Sequence, residues 1–131
     1  MALTLSNALD LIQAAIKAGR EEGMPIAVAV VDTGGRLLAA ARTEEAGYIT
    51  LDVAQRKATT SVNFRVATHA LLEMIKADSM LLDAMMKEPD LSLIPGGFPI
   101  MIDGALAGGL GIAGGHYSVD RVIGEQALKE L

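Results

Sequence analysis

Apolar residues at Leu5, Ala8, Leu9, Ile12, Ala15 and Ile16 recur with helical spacing, and Asp10, Gln13, Lys17 and Arg20 occupy the opposite face. This pattern predicts an amphipathic helix. Thr4 precedes it as a capping residue, Gly23 suits a left-handed position just past its end, and Pro25 prevents continuation. Gly19 falls on the apolar stripe without a side chain to bury. It weakens the last turn by up to about 1 kcal/mol relative to Ala, so fraying is expected from there.

The pattern then changes. Ile26 to Asp32 (IAVAVVD) and Arg36 to Arg42 (RLLAAAR) are apolar, partly β-branched runs joined through Thr33-Gly34-Gly35, which predicts a hairpin. A second hairpin is specified by Asp103-Gly104 between Phe98–Asp103 and Ala105–Gly114. Between the hairpins the spacing is helical again. It begins at Thr50 as a cap, runs through LDVAQRKATTSVNF, and resumes at Thr68 and at Ser79 before Pro89. Residues Pro89 to Gly97 read as a loop. After Ser118, the stripe of Val119, Val122, Ile123 and Ala127 predicts a closing helix. Strands grouped in antiparallel pairs, with helices before, between and after them, give an α+β fold.

Gly109, Gly111 and Gly114 match the G-x-G-x-x-G spacing of a dinucleotide-binding loop. That motif belongs to a first strand-turn-helix unit, with an acidic ribose ligand on a following strand. Here only one helix follows. The glycines are therefore expected to let another backbone, a helix or a flat ligand lie close to a strand.

At 131 residues, 51% of them hydrophobic, the chain suits one domain spanning residues 1–131. Its apolar runs are far shorter than the ~20 residues that span a bilayer, so no membrane partner is expected. Only Tyr48, Phe64, Phe98 and Tyr117 are aromatic, so Ala, Val, Leu, Ile and Met build the interior. A net charge of −5 without a Lys/Arg cluster argues against nucleic acid. Zero Cys excludes disulfides, thiolate nucleophiles and cysteine-ligated metal sites. No secretory leader is visible in the first residues, and a cytoplasmic location is expected.

Candidate chemistry is sparse. His116 stands between Gly115 and Tyr117, just ahead of the closing helix, where the helix dipole opposes positive charge and an imidazole nitrogen is available to iron, to another metal or to proton transfer. The competing reading is a helix cap or a subunit contact. His69 reads as a surface or satisfied histidine. Asp52 and Arg56 can pair on a solvated helix face. Met74, Met80, Met85 and Met86 give the middle helices a polarizable lining, read first as core. Asp32, Asp103 and Asp120 look structural, at two turns and a helix start. Metalloprotease, nucleophile-elbow, Walker and EF-hand spacings are all missing.

Together, VAVVDTGGRLLAAAR (Val28 to Arg42), LDVAQRKATT with Asp52, Ala54, Lys57 and Ala58, PGGFPIMIDGALAGGLGIAGG (Pro95 to Gly115) and Asp120 resemble the GlcG/HbpS-like family over nearly the whole length. The resemblance implies a profilin-like antiparallel sheet of two hairpins and about five strands, flanked by helices, in a homo-oligomer built from dimers. It also implies haem as ligand, with haem degradation attributed to part of the group. Two departures stand out. Phe64-Arg65-Val66-Ala67-Thr68 lacks the proline expected before its threonine, and His116 replaces a small residue.

The first reading is a ligand-binding pocket near Pro95–Gly97, the strand end through Gly114, Gly115 and His116, and the helix carrying Asp52 and Lys57. In it, Lys57 and Arg42 would hold a carboxylate or haem propionate against the amides of Gly96 and Gly97, and His116 would ligate the iron. A second reading is an enzyme, or enzyme accessory, for a small oxygenated carboxylate, with His116 as general acid/base. A third is a structural partner in a catabolic complex. The sequence leaves open whether turnover occurs.

Overall fold

The computed structural model describes residues 2–131. Helix α1 (Leu5–Glu21) begins with a capping box, in which Thr4 Oγ1 accepts from the Asn7 amide at 3.0 Å and Asn7 Oδ1 accepts from the Thr4 amide at 3.3 Å. The helix does not fray at Gly19. That residue is buried against Ile26, where an added Cβ would sit 3.0 Å from Cδ1, and the helix continues to Glu21 before Gly23 turns the chain at φ +67°. Its buried face is Ala8, Leu11, Ile12, Ala15 and Ala18, while Leu5 and Leu9 are exposed. The expected stripe is thus rotated, because this helix packs against both the sheet and the last helix.

Four strands form one antiparallel sheet: β1 (Ala27–Val31), β2 (Leu37–Arg42), β3 (Gly97–Ile102) and β4 (Ala105–Ala113), in the order β2-β1-β4-β3. The two expected hairpins are present and join edge to edge through β1 and β4. There are four strands rather than about five, because the connection between the hairpins is helix and loop throughout. In the first turn Asp32 Oδ1 accepts from the amides of Gly34 and Arg36 at 2.9 and 3.0 Å. In the second, Asp103 and Gly104 both take positive φ, +53° and +78°, as a tight hairpin turn demands.

Both faces of the sheet are covered, and they differ in grain. Val28, Val30, Leu110, Ile112, Phe98 and Ile100 point to α1 and to α5 (Tyr117–Leu128), forming the main core. Ala27, Ala29, Gly109, Gly111 and Ala113 point the other way, to α2 (Ile49–Phe64). On that side a Cβ on Gly111 would run into the carbonyl of Ala54, and one on Gly109 would meet the carbonyl of Ala58 and the side chain of Val62. Helix α2 therefore lies with its backbone directly on β4. The glycine-rich stretch serves helix packing, and no phosphate-binding turn exists there.

Thr50 is not the cap of α2. Tyr48 occupies that position without a side-chain bond, and the Thr50 hydroxyl donates to the Gly47 carbonyl at 2.6 Å. At its other end Arg65 adopts φ +57°, and the chain turns into α3 (Thr68–Ile75) and α4 (Ser79–Met86). Thr68 is fully buried. Its hydroxyl donates to the Ile94 carbonyl and accepts from the Gly97 amide, each at 2.9 Å. Leu71, Ile75 and Leu93 form a satellite cluster with Leu82 and Met85, and α4 has no fully buried residue. Met74, Met80 and Met86 are exposed, so they do not line the interior. Among the described residues no helix is long and apolar enough to cross a membrane.

Gly111→Ala is expected to destabilise the protein by about 1–3 kcal/mol, because the obstacle is helix backbone rather than a movable side chain. Gly47→Ala, where a Cβ meets nothing within 4 Å, is expected to stay within roughly 0.5 kcal/mol of the parent. Urea unfolding of the two variants checks the contrast.

Candidate functional site

Close packing of α2 on β4 carries Lys57 into the interior. Its side chain is 2% exposed, and Nζ donates to the Ile112 carbonyl at 2.8 Å and to Asp120 Oδ2 at 3.2 Å. Asp120 lies in the first turn of α5, and its Oδ1 accepts from the Gly115 amide at 3.1 Å. One ion pair thus ties α2, the end of β4, the Gly114–Gly115 bend and the start of α5 together. Burial lowers the pKa of Lys57 and raises that of Asp120, against the attraction between them.

Outside this pair lies an open cleft of about 350 Å³, lined by Thr50, Val53 and Lys57 of α2, Ile94, Ala113 through Tyr117, and Asp120. Its wall is mainly apolar. His116 stands at the rim as N-cap of α5, Nδ1 accepting from the Ser118 amide at 3.2 Å with Ser118 Oγ at 2.7 Å. The Tyr117 ring lies beside the imidazole, centroids 4.1 Å apart. Capping, one of the two sequence readings of His116, is therefore realised, and the exposed imidazole also borders the cleft.

The other expected site residues divide. Gly114 and Gly115 line the cleft, and Gly114 has φ +116° where a Cβ would press on the Pro25 carbonyl. Lys57 lines it too, but its ammonium is already bound to Asp120 and Ile112. Arg42 is elsewhere, its guanidinium donating to the carbonyls of Thr43, Glu44 and Ala46. Asp52 lies in a separate polar groove with Gln55, Arg56, Asn63 and Asp90, without an ion pair to Arg56. Gly96 and Gly97 are packing positions. A Cβ on Gly96 would meet Ile112 O and Lys57 Nζ, and the Gly97 amide is taken by Thr68. For Asp120 the sequence signals only a helix start. Its partner is 63 positions away, beyond any local signal.

A family model described as "Haem degrading protein HbpS-like" matches residues 3–129. The chain belongs to the HbpS-like family. It is 32% identical over 108 residues to Protein GlcG of Escherichia coli K12, covering 79% of this chain and 78% of that one. It is 30% identical over 133 residues to the corrinoid adenosyltransferase PduO of Citrobacter freundii, covering all of this chain but only 39% of PduO. The crystal structure of a PduOC:haem complex superposes with a TM-score of 0.90 at 28% identity, covering 100% of this chain and 96% of that one. This HbpS-like chain therefore shares one fold with proteins of different overall length.

His69 sits apart from the cleft, edge-on to Phe98 with centroids 5.9 Å apart, and its enclosed Nδ1 has no hydrogen-bond partner. It is neither a plain surface residue nor a satisfied one. Desolvation, then the charge of Arg121, lower its pKa against the opposing charge of Glu125.

Two measurements follow from these geometries. Asp120→Ala leaves a buried ammonium without a counter-charge and is expected to cost roughly 3–5 kcal/mol, while Lys57→Met/Asp120→Ala recovers part of it; urea denaturation of the cycle measures both. A depressed histidine pKa means that the unfolded chain binds the proton first. His69's contribution to stability is therefore full above about pH 6.5 and is lost as pH falls toward the folded value. Thermal melts from pH 8 to 5 should show His69→Gln losing less stability than the parent.

Proposed function

We propose that this protein binds haem, for which Val53, Ile94, Ala113 and Tyr117 would provide an apolar wall and the imidazole of His116 would be the residue to hold the iron. The observation that carries this reading is the pairing of an apolar cleft with a histidine at its rim. The cleft falls in the range of small-ligand sites, and its mouth opens to solvent, where the propionates of a haem would keep their contact with water.

Ser118 suits the role of orienting partner. With the proton on Nδ1, the ring donates to Ser118 Oγ, 2.7 Å away, and Nε2 presents its lone pair outward. In the other tautomer Nδ1 accepts the Ser118 amide and caps the helix. Were His116 to hold iron through Nε2, its proton would have to sit on Nδ1, as in the first tautomer, at the expense of part of the cap. When bound, haem would supply redox and oxygen chemistry that none of the surrounding side chains can perform.

The haem-bound PduOC relative and the family description both support this assignment. The carboxylate-metabolite reading is weaker, because no free Lys or Arg lines the cleft and both Arg42 and Lys57 are engaged within the fold.

Titrating haem into the protein while following the Soret band is the test. A saturable red shift is expected, with His116→Ala moving the band position and weakening binding about tenfold or more, or about 1.4 kcal/mol. Val53→Glu, which places a charge in the wall, should weaken binding without the spectral change of a lost ligand. No saturable shift with the parent protein would remove the proposal.

A further inference from the structure

We infer that helix α4 is a docking surface for a basic amphipathic helix of another protein, whose apolar stripe covers Met80 and Leu81 and whose cations meet an acidic rim.

Six of the eight residues of α4 are apolar, and a helix that is apolar nearly all round is normally enclosed by protein. This one is not. Leu82 and Met85 turn inward to the cluster of Leu71, Ile75 and Leu93, yet no residue of the helix is fully buried. Met80 is 80% exposed, Leu81 42% and Met86 58%, and Ala84 is exposed one turn beyond Met80. Apolar side chains scattered singly over a surface need no explanation, but these share one short helix. Methionine adds a flexible, polarizable contact that moulds itself to a partner.

Charge selects what covers them. Residues 73–90 hold five carboxylates against two lysines, which places there three of the five net negative charges of the whole chain. Both lysines are spent locally, Lys76 on Glu73 at 2.8 Å and Lys87 on Asp83 at 3.2 Å. Asp78, Glu88 and Asp90 have no ion pair among the described residues. Asp78 caps the helix, its Oδ1 accepting from the Leu81 amide at 3.1 Å, and Glu88 and Asp90 follow the last turn. The apolar helix thus has uncompensated carboxylates at both ends. A partner helix whose apolar stripe is bordered by Lys or Arg complements both features.

The same charges disfavour other occupants. Helices that lie on anionic membranes carry Lys and Arg on their polar face, the reverse of this one. A second copy would bring an identical acidic rim, and its other helices supply no excess of cations: α1 sets Asp10 and Glu21 against Lys17 and Arg20, and α5 sets Glu125 against Arg121. None of the residues lining the His116 cleft belongs to α3 or α4, so the two sites are separate.

The test is fluorescence anisotropy of a labelled synthetic helix built from Leu and Lys in amphipathic register, with a Leu/Glu helix of the same pattern as its counterpart. Saturable binding of the Leu/Lys helix is expected, and none of the Leu/Glu helix. Met80→Gln/Leu81→Gln, which leaves the charge unchanged, should weaken binding roughly tenfold, while Met101→Gln, at an exposed methionine of β3, should not alter it. Asp78→Asn/Glu88→Gln/Asp90→Asn, which retains a capping residue, should weaken binding and flatten its dependence on salt. Several results would overturn the inference. They are failure of the Leu/Lys helix to bind, equal binding of both helices, or undiminished binding to a Met80→Gln/Leu81→Gln variant with a native circular dichroism spectrum. Sedimentation of the parent protein, but not that variant, with phosphatidylcholine vesicles would assign the face to lipid instead. Loss of an oligomer on the same substitution, seen by light scattering, would assign it to contact between copies.

Discussion

The architecture depends on how closely a helix can approach a sheet when the sheet carries almost no side chains on that face. Gly109, Gly111 and Ala113 on β4, beside Ala27 and Ala29 on β1, leave α2 resting on strand backbone. The opposite face, with Val28, Val30, Leu110 and Ile112, follows the ordinary rule of interdigitating branched side chains against α1 and α5. A single alternation of small and large residues along β1 and β4 thus builds two different kinds of interface in one three-layer domain.

From that close approach the site follows. Only because α2 lies so near β4 can the Lys57 ammonium reach the Ile112 carbonyl and the Asp120 carboxylate, and only because Asp120 also holds the Gly115 amide does the bend at Gly114–Gly115 stand where it does. The cleft wall is an outgrowth of this packing. His116 comes next in the chain and inherits its position at the rim from the same pair.

Much of this was legible in the chain. Thr4, Gly23, Asp103-Gly104 and the change from helical to strand periodicity are local signals, and each element they announce is present close to where it was expected. The glycines of β4 were readable as sites of close approach, though not as seats for α2 specifically. What was illegible depends on distance along the chain. In the sequence Lys57 suits a pocket cation and Asp120 a helix start, and nothing local pairs them until the fold brings them together. Arg42 looked like a free cation because the carbonyls that hold it belong to a loop with no sequence signature. Gly19 looked like a weak point since its cost is local, whereas its compensation, contact with Ile26, is tertiary. The methionines of α3 and α4 were assigned to core by residue type, and three of them point to solvent.

The excursion formed by α3, α4 and the following loop is fastened at its base by two threonines. Thr60 accepts the Ser92 amide, and Thr68 bridges the Ile94 carbonyl and the Gly97 amide. Beyond those fastenings α4 has no fully buried residue. The segment from Lys76 to Pro89 is accordingly insulated: it can open, lengthen or change sequence over time while the sheet, the ion pair and the cleft keep their geometry, which makes it the natural place for this scaffold to acquire new attachments.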